Sequence, residues 1–144
     1  MNILSLKQAG FLALLLLTLG LAAAPAVQAA DKQGVVIQVS DNDPAKWNLA
    51  LNNAKNIQKD LGKDNVDIEI VAYGPGINML KKDSEVGSRL DDATLGGVAV
   101  SACQNTMKAQ KLSEKDMHAS VAYVPAGVIE IMKKQKAGWA YIRP

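Results

Sequence analysis

The sequence is poor in two residue types that bind metals and perform nucleophilic chemistry. Its 144 residues include a single cysteine, Cys103, and a single histidine, His118. One cysteine cannot form a disulfide within the chain, and the lack of a CxxC pair excludes dithiol exchange of the thioredoxin type. We expect no metal, because one cysteine and one histidine do not make a ligand cluster. The lone thiol is therefore buried and inert, paired between chains, or used chemically.

An excess of charge of one sign is also missing. Sixteen Lys and Arg residues oppose fourteen Asp and Glu residues, and the basic residues are scattered. This distribution does not predict a nucleic-acid-binding surface. Gly74-Pro75-Gly76 does not have the GxGxxG spacing, and the Ser40 to Asp43 loop lacks the glycines of a phosphate cradle. We therefore expect neither a nucleotide nor a flavin cofactor.

The chain has only one long apolar run, from Gly10 to Leu21. The run follows Lys7, is short for a membrane span, and precedes Val27-Gln28-Ala29, which fits a small-x-small cleavage site. The pattern predicts a cleavable signal peptide at residues 1–29 and one domain at residues 30–144. We expect a periplasmic protein of about +1 charge with no membrane attachment after cleavage; an uncleaved anchor is the alternative.

Apolar, β-branched runs alternate with segments of helical periodicity in the remaining sequence. The predicted strands are residues 33–39, 66–73, 97–102, 118–124 and 138–142. The clearest helix begins after Asp43, which can cap it, and ends at Gly62. Strands that alternate with helices predict an α/β fold with a parallel sheet and right-handed crossovers.

The charge pattern of the strands suggests their order. The second strand alternates Val66, Ile68 and Ile70 with Asp67 and Glu69, which is typical of an edge strand. The third and fourth strands carry no acidic residue and are expected at the centre. We therefore predict a flavodoxin-like three-layer sandwich with a five-stranded sheet in the order 2-1-3-4-5.

Cys103 directly follows the third strand and begins a predicted helix. Ligands bind beyond the carboxyl ends of parallel strands, so the thiol is expected at the rim of a crevice. A helix start stabilises a thiolate, which is the form that attacks sulfur. Cysteine is also often fully buried, and a structural Cys103 remains the alternative. His118 opens the fourth strand at the opposite end of the sheet, which disfavours a Cys–His pair.

Three segments resemble the DsrE/DsrF-like (YchN-like) family: ALNNAKNIQKDLG from Ala50, VDIEIVAYGPGI from Val66 and GVAVSACQNTM from Gly97. The resemblance covers essentially the whole predicted domain. It implies a flavodoxin-like sheet without flavin, homo- or hetero-oligomers that are commonly trimers or hexamers, and sulfur carried as a cysteine persulfide. Cys103 matches the position of the family's thiol. The sequence ACQNT around it resembles an exported branch of the family.

Two functions follow as hypotheses. The first is a persulfide carrier or sulfurtransferase, in which Cys103 takes sulfane sulfur from an unidentified donor and passes it to another thiol. Gln104 and Asn105, with Ser40 and Asn42 opposite, would then stabilise the anion. The second is a non-catalytic oligomeric binding or assembly module, in which Cys103 is packed or idle.

Overall fold

The computed structural model describes residues 32–144. The predicted signal peptide lies outside the described residues. Between residues 32 and 144, no helix is both long and apolar enough to cross a bilayer. The described chain forms an alternating series of strands and helices around a single sheet.

Residues 32–144 contain five strands and four α-helices. In chain order they are β1 (Gln33–Val39), α1 (Pro44–Leu61), β2 (Val66–Ala72), α2 (Gly87–Leu95), β3 (Ala99–Cys103), α3 (Gln104–Ala109), β4 (Ala122–Val124), α4 (Gly127–Lys136) and β5 (Ala140–Ile142). Two short 3₁₀ helices, Gly74–Leu80 and Glu114–Asp116, lie in the connections.

Local sequence explains where α1 begins and ends. The side chain of Asp43 accepts a hydrogen bond of 2.9 Å from the Ala45 N–H, and Pro44 occupies the first turn. Trp47, Ala50, Leu51 and Ala54 recur on one side of the helix and are buried. Gly62 adopts a φ of +84°, which favours glycine, and stops the helix. The predicted helix is confirmed.

The sheet is entirely parallel, as predicted, but the predicted strand order is wrong. The observed order is β4-β3-β2-β1-β5, so β2 is the central strand rather than an edge. The prediction was wrong because it took Glu69 as a solvent-facing residue, whereas the Glu69 side chain is only 6% exposed. It pairs with Lys134 of α4 and accepts a hydrogen bond from Ser101 of β3. A paired carboxylate can occupy a buried strand that an unpaired one could not.

The order of the strands places the helices on two faces. The chain moves in one direction from β1 to β4, so right-handed crossovers put the connecting helices on one side of the sheet. This α1 face holds the larger core, which includes Leu51 of α1, Leu90 of α2 and Met107 of α3. The connection from β4 back to β5 runs in the opposite direction and places α4 on the other side.

The second face, here called the α4 face, has a thinner cover. Ile131 of α4 packs there against Val36 and Val71, with Tyr73 and Trp139 at the margins. The outer side of α4 leaves Val128, Ile129 and Met132 about half exposed. Helices on both faces confirm the three-layer architecture, but the layers are unequal.

The fourth strand is shorter than predicted. Only Ala122–Val124 pairs with β3, whereas residues 118–121 form the approach to the strand. In this approach the His118 N–H donates to the Leu80 carbonyl oxygen at 2.8 Å. The imidazole lies 2.9 Å from the Ser120 hydroxyl and 3.7 Å from the Asp91 carboxylate. His118 thus connects residues 118–121 to α2.

Candidate functional site

Cys103 is the last residue of β3 and stands beside Val124, the last residue of β4. From these two neighbouring strands, α3 leaves toward the α1 face and α4 leaves toward the α4 face. Adjacent strands whose connections leave to opposite faces create a crevice at their carboxyl ends. The crevice therefore lies between β3 and β4, not between β1 and β3 as the predicted order implied.

The thiol is surrounded by hydrogen-bond donors from both helix starts. The Thr106 hydroxyl and the backbone N–H groups of Gly127, Thr106 and Asn105 each lower the pKa of Cys103. Burial alone would raise the pKa of Cys103, but these donors favour the thiolate and outweigh burial, so the pKa lies below its ordinary value. The site thus stabilises negative charge on sulfur without a basic side chain.

Gly127 allows α4 to come this close. A Cβ atom at position 127 would lie 3.1 Å from the Tyr73 Cβ and 3.3 Å from the Cys103 Cβ, which is tighter than most real contacts. Glycine has no such atom, so its N–H can approach the sulfur. Gly127 is therefore required by close approach rather than by an unusual backbone angle.

Three loops are tied together around the thiol. The Asn105 N–H donates to the Pro125 carbonyl oxygen at 3.2 Å, which links the start of α3 to the β4–α4 loop. The Gly74 N–H donates to the Thr106 hydroxyl oxygen at 2.9 Å, which links the β2 loop to α3. Thr106 therefore accepts from Gly74 and donates toward Cys103 through the same hydroxyl group.

The thiol is covered but lies close to the surface. Cys103 is 5% exposed, whereas Gln104, Asn105 and Pro125 around it are exposed. A cavity of 280 Å³ lies between α1 and α2 and is lined by residues such as Leu51, Gln58 and Arg89. It belongs to the α1 face and does not include the thiol.

The structure separates the predicted site residues into two groups. Gln104 and Asn105 are next to Cys103 at the start of α3, although only the backbone of Asn105 acts on the sulfur. Ser40 and Asn42 follow β1, which is two strands from β3 and hence about 10 Å away. The Ser40 hydroxyl accepts from Gln38, and the Asn42 side chain accepts from Asn78. Their proximity to the thiol depended on the wrong strand order.

Sequence reasoning brought the loops that contain Tyr73 and Thr106 to the crevice but gave these two residues no role, and it did not name Gly127. Thr106 carries a detectable signal, because a hydroxyl three residues after a helix-opening cysteine returns to that cysteine. The predicted order already placed β3 beside β4, but it put the switch point between β1 and β3 and so did not indicate that α4 begins beside the thiol. Among residues 32–144, no group of three or more His, Cys, Asp and Glu side chains could hold a metal ion.

Several solved structures have a similar fold, among them the following three. A protein of unknown function from Methanobacterium thermoautotrophicum is 37% identical, with a TM-score of 0.75 over 78% of this chain and 100% of that one. A protein of unknown function from Bacteroides thetaiotaomicron is 14% identical, with a TM-score of 0.65 over 78% and 95%. The YchN protein of E. coli is 12% identical, with a TM-score of 0.64 over 79% and 99%. The last two similarities concern the fold alone.

No curated protein matches the sequence significantly. The model of the DsrE/DsrF-like family matches residues 31–144, which includes every strand and helix described above. The family resemblance seen in the sequence is thus confirmed over the whole domain. The chain belongs to the DsrE/DsrF-like family.

Proposed function

We propose that this protein carries sulfane sulfur as a persulfide on Cys103. The observation that supports the proposal is the position of Cys103 at the starts of α3 and α4, where the Gly127 backbone comes close to its side chain and nearby N–H and O–H groups lower the pKa of the thiol. A thiolate is the nucleophile in sulfur transfer, and a persulfide anion needs the same stabilisation. Membership of the DsrE/DsrF-like family is consistent with a role of this kind.

The reaction needs no redox partner. The Cys103 thiolate attacks the sulfane sulfur of a donor such as a hydropersulfide or thiosulfate, and a new S–S bond forms at Sγ. The S–S bond of the donor breaks, and its electron pair leaves with the donor as a thiolate or as sulfite. In the second step an acceptor thiolate attacks the outer sulfur, and Cys103 leaves as the thiolate.

The lack of a second cysteine suits a carrier. A neighbouring thiol in the same chain would attack the persulfide and form a disulfide, but Cys103 is the only cysteine. The persulfide would therefore last until an outside thiol removed it. Its covered position also limits access of other nucleophiles.

Mass spectrometry of the intact protein tests the proposal. After incubation with thiosulfate or polysulfide, we expect a gain of one sulfur atom per chain that a reductant reverses. Cys103→Ser should fold and gain nothing, whereas His118→Ala should load normally because His118 packs against α2. No mass gain in the wild type with any sulfane donor, together with a thiol that reacts only on unfolding, would rule out the carrier.

A non-catalytic assembly module is the second candidate. The near-complete burial of Cys103 and the apolar outer side of α4 favour it. In that case the thiol would pack as a small apolar group, and the exposed helix would bind other subunits. Alkylation separates the two candidates, because a reactive site should label within the folded protein near neutral pH.

Export through the signal peptide is part of the proposal. The tripartite pattern of residues 1–29 supports it. The amino terminus of the protein recovered from a periplasmic fraction should begin at Ala30 or Asp31. Recovery only from membranes, with Met1 or Asn2 retained, would contradict export.

A further inference from the structure

A partly buried ion pair lies beneath α4, away from the thiol itself. The Lys134 Nζ lies 2.8 Å from Oε2 of Glu69, whose side chain is 6% exposed. The same Nζ lies 4.0 Å from the centre of the Trp139 ring. That ring packs directly over Gly34, where no Cβ would fit. The lysine is thus held between a carboxylate in the centre of the sheet and an aromatic ring.

The pair connects the three elements that meet at Cys103. Glu69 belongs to β2, which ends at Ala72, and the next residue, Tyr73, lies beside the site. The other carboxylate oxygen of Glu69 accepts a hydrogen bond of 2.7 Å from the Ser101 hydroxyl. Ser101 precedes Cys103 by two residues on the same face of β3. Lys134 belongs to α4, whose first residue is Gly127.

Stability alone is a poor reason for this arrangement. The desolvation of two charges offsets most of their attraction, and apolar residues of similar size usually serve a core as well or better. The neighbouring Ile131 already packs α4 against Val36 and Val71. An apolar contact, however, permits sliding, whereas an ion pair with a second hydrogen bond fixes one arrangement of helix and strands.

We propose that Glu69 and Lys134 are positioning residues, which fix α4 on the sheet so that the Gly127 N–H reaches the Cys103 sulfur. Lys134 lies seven residues beyond Gly127, or about 10 Å along a helix that moves as one rod. A shift at Lys134 therefore moves Gly127. The inference deepens the proposed function, because the same contact would hold a persulfide anion.

A charge-neutral replacement of the network tests this role. In the triple variant Glu69→Met, Ser101→Ala, Lys134→Met, one negative and one positive charge are lost together. Glu130, whose Oε1 lies 3.8 Å from the Lys134 Nζ, loses that partner but keeps Lys133 at 3.9 Å. We expect the thermal unfolding midpoint to stay level or rise. The pH midpoint of iodoacetamide alkylation should rise by about half a unit, which reduces the thiolate fraction about threefold below that midpoint. The amide resonance of Gly127 should shift with it.

The matched control is Lys133→Met, the removal of an adjacent lysine that is 67% exposed. It should leave the alkylation midpoint unchanged. Tyr73, which lies beside the thiol, is unchanged in every variant. The triple variant and the control each remove one lysine partner of Glu130, so this loss is matched. A folded triple variant with the wild-type midpoint and an unshifted Gly127 resonance would overturn the proposal.

Glu69→Gln gives an answer even if the triple variant does not fold. It is nearly isosteric and keeps an acceptor for Ser101. The loss of a negative charge would by itself lower the pKa of the thiol, so a rise of the midpoint can come only from a change in position. A rise supports the proposal, and an unchanged or lower midpoint overturns it. Alkylation needs no sulfur donor, so failure of the positioning role is distinct from failure of persulfide loading.

Discussion

The thiol of Cys103 shows how single backbone groups decide reactivity. Burial opposes ionisation, while the Thr106 hydroxyl and three N–H groups favour it, and the donors prevail. The folded protein therefore releases the thiol proton at a lower pH than the unfolded chain does. Alkylation of the native protein, followed against pH, should show a midpoint below that of the urea-unfolded protein. Equal midpoints would contradict this balance of forces.

The same difference in pKa makes stability depend on pH. Because the folded pKa is the lower one, the thiolate contributes stability that is fully present above the unfolded pKa and is lost as pH falls through the folded pKa. The difference in the free energy of unfolding between the wild type and Cys103→Ser should therefore increase as pH rises from the folded pKa to the unfolded pKa. Urea titrations of both proteins at several pH values measure it. A difference that does not change with pH would argue against the shift.

Gly127→Ala tests the close approach of α4. The added Cβ would crowd Tyr73 and Cys103, so α4 must move and the Gly127 N–H must leave the sulfur. We expect a loss of about 1–3 kcal/mol of stability and a higher alkylation midpoint. Gly87→Ala is the control, because its Cβ would meet the His118 ring at an ordinary 3.5 Å. Equal behaviour of the two variants would count against the crowding argument.

At the scale of elements, Thr106 joins the β2 loop to α3. Thr106→Val keeps the shape but leaves the Gly74 N–H without its acceptor and removes the hydroxyl that lowers the pKa of Cys103, while the N–H groups remain. We expect a cost of about 1 kcal/mol and a higher alkylation midpoint. Thr94→Val is the control, since the Thr94 hydroxyl only donates back to carbonyls of its own helix. A normal midpoint in Thr106→Val would remove Thr106 from the site.

Local patterns predicted the elements well and the order of the strands poorly. The extent of α1 follows from Asp43, the apolar spacing and Gly62, all of which are neighbours in sequence. The position of β2 depends on Lys134, which is distant in sequence and supplies the partner that buries Glu69. A strand with a paired charge and a strand at an edge have the same alternating pattern. The thiol was correctly predicted at the end of its strand. Its contact with Gly127 could not be predicted, because it depends on α4 crossing the opposite face of the sheet from β4 to β5.

At the scale of the molecule, the two faces of the sheet are covered unequally. Within the part of the chain that the structure describes, three helices cover one face and α4 alone covers the other, with Val128, Ile129 and Met132 outward. We expect this side of α4 to form the interface of a homo-oligomer, a trimer or a multiple of three as the family resemblance implies. Light scattering at micromolar concentration should show it, and a wild-type monomer would contradict it.

Substitutions on the two faces locate the interface. Met132→Glu places a charge on the outer side of α4 at a residue that is 58% exposed, and should weaken assembly without unfolding the chain. Leu95→Glu is the matched control, since Leu95 is 87% exposed on α2 at the opposite face. Equal effects on assembly would argue against an interface at α4.

The path of the last segment has a consequence for motion. Residues 122–142 start at one edge of the sheet as β4, cross the α4 face and pair as β5 at the other edge, with only three residues in each strand. Such short edge strands are held by few hydrogen bonds, so the segment can detach while β1, β2 and β3 remain paired. Detachment would remove Gly127 from the sulfur and uncover it in one event. The rate at which a bulky reagent labels Cys103 should therefore equal the rate of the opening that hydrogen exchange of the amides in residues 122–142 reports.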